Sequence, residues 1–481
     1  MRRPRLGPFD VRRWKWLPWL LLLSGALVCD QEPAPGDGGL SLETLDVAVG
    51  PLPGTRPAHR ERAYWEGLWD QRYDLDETLL SRGAIQRANV HLVRSTARLA
   101  PDDLRRVPDA SALRRQIDER LAYLRRRVIS GKLRDATGAP LSADLGKRFT
   151  LRRTLPTLSP RLRRADAVIP VRCGPLLRGL FKPGGDLRFD RNNCSSIHPG
   201  EPVQVLARWS RELLLVRTTY TLGWIPVSAP LTSIRADASL GDGPDGFPAF
   251  TRRAFLRAAF ALLDAPYGWG GEDGGLDCSR FVMQVLAGFG LRLPRASGPQ
   301  SRAGVFTIDL QPVPDGHRLA VLDRAAKSGV VLLHLPGHIM FYLGRDDRGE
   351  PMVLHSLAEY AEPVEDQPDR VVPVERVCVS HLDLGEGSRR GSLLERLDRL
   401  TVLGGPADPA LQGVATLRPA VPIEHPETCA ASDSAPGSEG SWLFTTPARP
   451  HPGQPLRVIA TRWDHPGPVT LQLFDPAGRP R

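Results

Sequence analysis

Several signatures are missing from this 481-residue chain, and each absence closes a class of function. Its six cysteines (Cys29, Cys173, Cys194, Cys278, Cys378 and Cys429) form no C-x-x-C pair, so a zinc ribbon is not expected. There is no H-E-x-x-H, and Pro336-Gly337 would break any helix joining His334 to His338, which argues against a zinc hydrolase built on His334, His338 and His355. The serine-hydrolase patterns G-x-S-x-G and S-x-x-K do not occur either. No metal or organic cofactor is therefore called for. Lysine is scarce, five of 64 basic residues, a trait of genome composition rather than of function. The net charge of +10 is also uninformative, because residues 1–28 hold six basic residues against Asp10 alone. The rest of the chain is too nearly balanced to suggest a nucleic-acid partner. With 41% hydrophobic and 25% charged residues the chain is neither disordered nor collagen-like.

What is present begins with an address. After the cationic start, residues 16–28 are an apolar run of 13 residues, against the roughly 20 needed to span a bilayer. Cys29 follows at once. The arrangement resembles a bacterial lipoprotein signal, with Cys29 as the acylated residue, although Val28 stands where a small residue is usual. A simple signal peptide or an uncleaved anchor are the other readings. All three put the chain outside the cytosol, in the periplasm or cell envelope, held to the membrane by a lipid or a signal anchor.

The length suggests about three domains. Residues 29–60 are rich in Pro and Gly and read as a tether. Residues 61–165 read as helical, with Leu113, Ile117, Leu121 and Leu124 on one stripe. Residues 166–240 switch to short alternating runs, the pattern of a small β-barrel. Cys173 and Cys194 fall inside it, as a disulfide or as two buried thiols. Residues 249–402 form the most informative block. A Pro/Gly-rich linker at 403–440 and a β-rich tail at 441–481, three strands without a partner sheet, complete the chain.

Chemistry concentrates in 249–402. Thr251 can cap a helix carrying Phe255, Ala258, Ala259 and Leu262. A loop of glycines (268, 270, 271, 274 and 275) then leads into Asp277 and Cys278, which open a second helix. A cysteine in a first helical turn meets unpaired N–H groups and the positive end of the helix dipole, which favour a thiolate. Further on, VVLLHL, HIMFYLG and MVLHSL read as three strands. Period-two alternation allows His338 and His355 to face one side of such a sheet. Cysteine, His338 and His355 then make a nucleophile, a base and an orienting group.

YGWGGEDGGLDC at 267–278, LPRASGPQ at 293–300, PGHIMFYLG at 336–344 and VLHS at 353–356 together resemble the NlpC-type family of papain-like cysteine peptidases from bacterial cell walls. FDRNNCSSIHPGEPVQVL and Tyr220 to Trp224 are similar to the bacterial SH3-like module that precedes some members. The resemblance implies an α+β fold, with helices packed on an antiparallel sheet behind an SH3-like β-barrel and a helical N-terminal region. It implies Cys278 as nucleophile, His338 as base and His355 as the third polar residue. Tyr267, Trp269, Asp277, Ser279 and Ser297 fall at substrate-binding positions. Ala296 stands where members that recognise a free amine commonly carry an acid. The implied activity is hydrolysis of a peptidoglycan or muropeptide amide, D-γ-glutamyl to diamino acid, through a thioester. A cell-wall-binding lipoprotein that keeps the fold without catalysis is the alternative, and an acyl transferase would share the thioester chemistry.

Overall fold

The computed structural model describes residues 51–411 except 97, 151–155, 236 and 241–245, together with 417–419, 441–446 and 457–462. The signal segment, Cys29 and Cys429 lie outside the described residues. Among those described, no helix is long and apolar enough to cross a membrane.

The chain enters through a 3-10 turn, Pro57–Arg60, then α1 (Arg62–Asp70), β1 (Thr78–Leu80), α2 (Arg82–Ser95), α3 (Ala110–Ile129) and α4 (Ala143–Arg148). Composition suggested a tether up to residue 60, but residues 51–60 are docked. Arg56 pairs with Asp346 at 2.9 Å, and buried His59 lies 3.1 Å from the same carboxylate. The helical region is also not one body. Trp65 and Trp69 on α1 sit in one core with Phe255, Phe281 and Phe341. The stripe on α3 is buried as its spacing predicts, with Val128 added, but it packs on Leu213, Leu215 and Trp224 of the barrel. Asp109 starts that helix by accepting from the Ala112 N–H at 2.7 Å.

Seven strands form the barrel sheet: β2 (Arg161–Ala165), β3 (Ile169–Arg172), β4 (Asn193–Ile197), β5 (Pro202–Arg208), β6 (Leu213–Arg217), β7 (Leu222–Pro226) and β8 (Leu231–Ser233). Their order is β4-β3-β7-β6-β5-β2-β8. The barrel thus starts at Arg161, five residues before the alternating pattern suggests. Cys173 and Cys194 are disulfide-bonded across its long connection.

The last block opens with β9 (Phe250–Thr251) and α5 (Arg252–Phe260), capped by Thr251 as expected at 3.1 Å from the Ala254 N–H. It continues through α6 (Cys278–Ala287), α7 (Ser297–Gln300), β10 (Phe306–Asp309), α8 (Asp315–Ser328), β11 (Gly329–Leu335), β12 (His338–Arg345), β13 (Pro351–Glu362), β14 (Arg370–His381) and β15 (Arg399–Gly404). These strands pair antiparallel in the order β14-β13-β12-β11-β15-β10, and β16 (Leu417–Pro419), in the expected linker, extends the far edge. Both faces are covered. Ile339, Phe341 and Leu343 enter the core under α6, while Met340 and Tyr342 enter the core under α8. Double burial explains why these strands read as continuous apolar runs. In the tail, β17 (Ser441–Thr446) and β18 (Arg457–Arg462) pair with each other; the third expected strand lies outside the described residues.

The disulfide closes a sequence separation of 21 residues, which should restrict the unfolded barrel by about 3 kcal/mol. Replacing both cysteines with serine should lower unfolding free energy by that order in urea, followed through the edge-on Trp209–Trp224 pair; an unchanged midpoint would contradict it.

Candidate active site

Cys278 is the first residue of α6, and the residue before it organises the surroundings. The Asp277 carboxylate caps the helix through Oδ1, accepting from the Arg280 N–H at 2.8 Å, and holds the glycine loop through Oδ2 and the Gly270 N–H at 3.0 Å. Gly270 and Gly271 have φ of 68° and 84°, the left-handed region that glycine adopts without strain. A Cβ on Gly270 would lie 2.9 Å from the Asn193 side chain, so the loop's glycines allow its backbone to reach the barrel. Asn193 uses that approach to donate to the Trp269 carbonyl at 2.9 Å, and the Trp269 indole donates to Asp190 O at 2.7 Å.

Arg295 completes this arrangement. Its guanidinium meets both Asp277 oxygens at 2.5 and 3.0 Å and also donates to Ser279 Oγ and to Ser195 Oγ of the barrel, each at 2.8 Å. Asp277 is 7% exposed; burial pushes its carboxyl up, but Arg295 with the Arg280 amide and the Ser279 hydroxyl more than offsets that and holds it below the usual range.

His338 starts β12 and lines the same cleft as Cys278. The Ile339 and Ser279 backbone amides favour the Cys278 anion, a smaller effect than the burial that opposes it. His338 Nε2 lies 2.8 Å from His355 Nδ1, and His355 Nε2 lies 3.0 Å from Ser380 Oγ. The register explains the line. Val353 is opposite Ser380 and His355 opposite Cys378, so Ser380 is the diagonal neighbour of His355 on the same face. The relay thus crosses three adjacent strands, and it leaves His338 Nδ1 as the nitrogen free to meet the thiol.

Cys278, His338, Tyr267 and Trp269 line one cleft of about 630 Å³. The other residues named from sequence lie elsewhere. Asp277 and Ser279 are buried, with their oxygens engaged by one another and by Arg295, and neither lines the cleft. Ser297 begins α7, half-buried and away from the cleft lining. His334 is taken by Asp398 at 2.6 Å. Among the described residues no cluster of His, Cys, Asp and Glu has the geometry of a metal site. Sequence reasoning missed Arg295 and Ser380. The first lies in the LPRASGPQ segment, two residues before the serine that drew attention; the second is marked only by strand periodicity.

Burial governs the protonation states. It pushes the Cys278 thiol up to about 12, the Asp277 carboxylate adding to the effect, and pulls His338 down to about 3 with help from Arg396 and His334. His355 falls well below its ordinary value for the same reason. Burial thus disfavours the charged forms of both the thiol and the imidazole, and so opposes the thiolate that the helix start favours.

Residues 264–369 match the NlpC/P60 family, and residues 175–226 match the SH3 domain of the SH3b1 type. The chain carries an NlpC/P60 domain. A Mycobacterium tuberculosis protein named "Probable endopeptidase" is 33% identical over 135 residues, 27% of this chain and 28% of that protein. A Bacillus cereus gamma-D-glutamyl-L-lysine dipeptidyl-peptidase is 35% identical over 84 residues, 17% of this chain and 23% of its own length. The chain thus spans less than a third of either relative. A solved NlpC/P60 endopeptidase from Photobacterium damselae subsp. piscicida has a TM-score of 0.51 at 14% identity, covering 70% of this chain and 96% of that one. This is a likeness of fold. The NlpC/P60 domain, the SH3b domain and the antiparallel sheets agree with the α+β class expected from sequence.

Two outcomes follow. The rate of iodoacetamide inactivation should climb about tenfold per pH unit from about pH 6 to about pH 9, because burial pushes the thiol up to about 12. A flat rate over that range would instead reveal a standing thiolate–imidazolium pair. Arg295→Met strands a buried carboxylate and should cost about 3–5 kcal/mol in urea unfolding; a loss below about 1 kcal/mol would refute the organising role given to the pair.

Proposed function

We propose that this protein is an exported cysteine peptidase that hydrolyses an amide of peptidoglycan stem peptides, the D-γ-glutamyl bond to the diamino acid. The observation that carries the reading is the shared cleft of Cys278 and His338, with His338 backed by His355 and Ser380. The NlpC/P60 match and the name of the Bacillus cereus relative support the substrate class.

The chemistry needs only these side chains. His338 Nδ1 takes the thiol proton as Cys278 Sγ attacks the carbonyl carbon, and the C=O electron pair moves to oxygen. Backbone N–H groups of the first turn of α6 and the Tyr267 hydroxyl are the donors available to that oxyanion; burial, chiefly, keeps the tyrosine protonated. The intermediate collapses to a thioester as the imidazolium gives its proton to the leaving amine. Water then adds, His338 accepting its proton, and the carbon–sulfur bond breaks to release a carboxylic acid and the thiol. His355 and Ser380 orient the imidazole and do not meet substrate. Burial that lowers the basicity of His338 also makes the imidazolium a strong acid toward the leaving amine, which favours the second step. Export, a lipid on Cys29 or a signal anchor, and wall targeting by the SH3b module belong to the same reading.

Muropeptides incubated with the full chain and analysed by mass spectrometry should show cleavage between D-glutamate and the diamino acid. The Cys278→Ala variant should lower the rate by at least roughly 10³-fold. Release that persists unchanged in the variant would refute the assignment.

A further inference from the structure

The charge balance of the cleft bears on what it binds. Two carboxylates lie on its wall, and both are committed. Arg188 bridges Asp186, Glu375 and, at 3.0 Å, Glu359, while Arg390 reaches Glu359 at 3.4 Å. Three cations that line the same cleft remain without an anion. Lys182, Arg191 and Arg396 make no ion pair or side-chain hydrogen bond among the described residues, although all three line the cleft.

The two arginines flank the catalytic groups from opposite elements. Arg191 comes from the barrel and lies 4.5 Å over the Trp269 ring, and its Nε is buried with no acceptor. Arg396 follows β14, half-buried, and close enough to His338 to disfavour its imidazolium. Lys182 is crowded chiefly by Arg191. A half-buried guanidinium without an anion is costly to hold, and a planar donor fork without a partner is suited to a carboxylate.

We propose that Arg191 and Arg396 bind a free carboxylate of the peptide substrate and so select stem peptides in which that carboxylate is not amidated. The inference rests on the peptidase reading above for the identity of the peptide. Two carboxylates flank the bond in question: the α-carboxylate of the D-glutamyl residue and the one on the diamino acid. The chemistry of recognition is the same for both.

The test uses the full chain carrying Cys278→Ala, titrated by calorimetry with three synthetic stem peptides. One has both carboxylates free, one is amidated on the D-glutamyl residue, and one is amidated on the diamino acid. The free peptide should bind roughly 10–100-fold tighter than the one that lacks the recognised carboxylate, as charge-assisted hydrogen bonds do. Whichever amide loses affinity identifies the source. On that background Arg191→Gln and Arg396→Gln should each reduce the preference, and Arg→Lys at the same position should restore part of it. Equal binding of all three peptides would overturn the proposal without any variant being needed, and so would a preference that both glutamine variants leave intact. Turnover by the chain with its thiol intact separates the two readings. Preferential binding with no cleavage would remove the peptidase and leave the carboxylate clamp. Cleavage of all three with equal kcat/KM, together with equal binding, would remove the clamp alone.

Discussion

The buried pair of Asp277 and Arg295 is the interaction on which the site depends. One carboxylate starts the helix that presents Cys278, fixes the glycine loop through the Gly270 amide and anchors an arginine that reaches Ser195 of the barrel. The glycine loop, the start of the helix and a barrel residue 100 positions before Arg295 thereby share one charge pair. Burying two ions is expensive, and their attraction offsets the cost only when the remaining donors and acceptors are filled. Here the carboxylate also accepts from two backbone N–H groups and the Ser279 hydroxyl. Such a pair fixes geometry, since no other arrangement satisfies all of its members.

The same contacts explain why the barrel belongs to the active site. Asn193 and the Asp190 carbonyl hold Trp269, and Arg280 forms a 2.6 Å ion pair with Glu201 across the junction. One wall of the cleft is therefore barrel: Lys182, Asp186, Phe189 and Arg191 all line it. The catalytic block alone would have an open groove at Cys278. With the barrel in place, the groove acquires a second side, and with it the charged side chains of Lys182, Asp186 and Arg191. Docking α1 and residues 51–60 against the opposite end of the same core holds the β12–β13 turn without entering the cleft.

Much of this was legible in the chain, and what was hidden has a common cause. The elements that carry Cys278, His338 and His355 are where the chain suggests them, because each position is fixed by local rules: a helix start, a strand start and a strand interior. The α3 stripe is equally readable, but nothing local says that its partner is Trp224 rather than the peptidase core. Residues 51–60 look like a tether because Pro and Gly dominate them, whereas Arg56 and His59 meet acids nearly three hundred residues away. Asp277 and Ser279 were placed at substrate because they flank the nucleophile; Arg295 engages both from inside. Ser380 needed the β13–β14 register. Periodicity tells which face a residue takes, and only pairing tells which neighbour it finds.

The protonation of Cys278 shows why magnitudes must decide between two sound arguments. A helix N-terminus favours an anion by about 0.3–1 kcal/mol, less than one pKa unit. Full burial disfavours it by up to about 3–5 units. The capping residue is itself an anion, and Asp277 adds to the rise rather than opposing it. The dipole therefore loses, and a cysteine at a helix start is not by that fact a thiolate. In the peptidase proposed above its activation would come from a base that takes the proton, so the placement of His338 by His355 would matter more than the helix. Burial disfavours the charged form of His338 and of His355 as it does that of Cys278, so all three shifts oppose a standing ion pair.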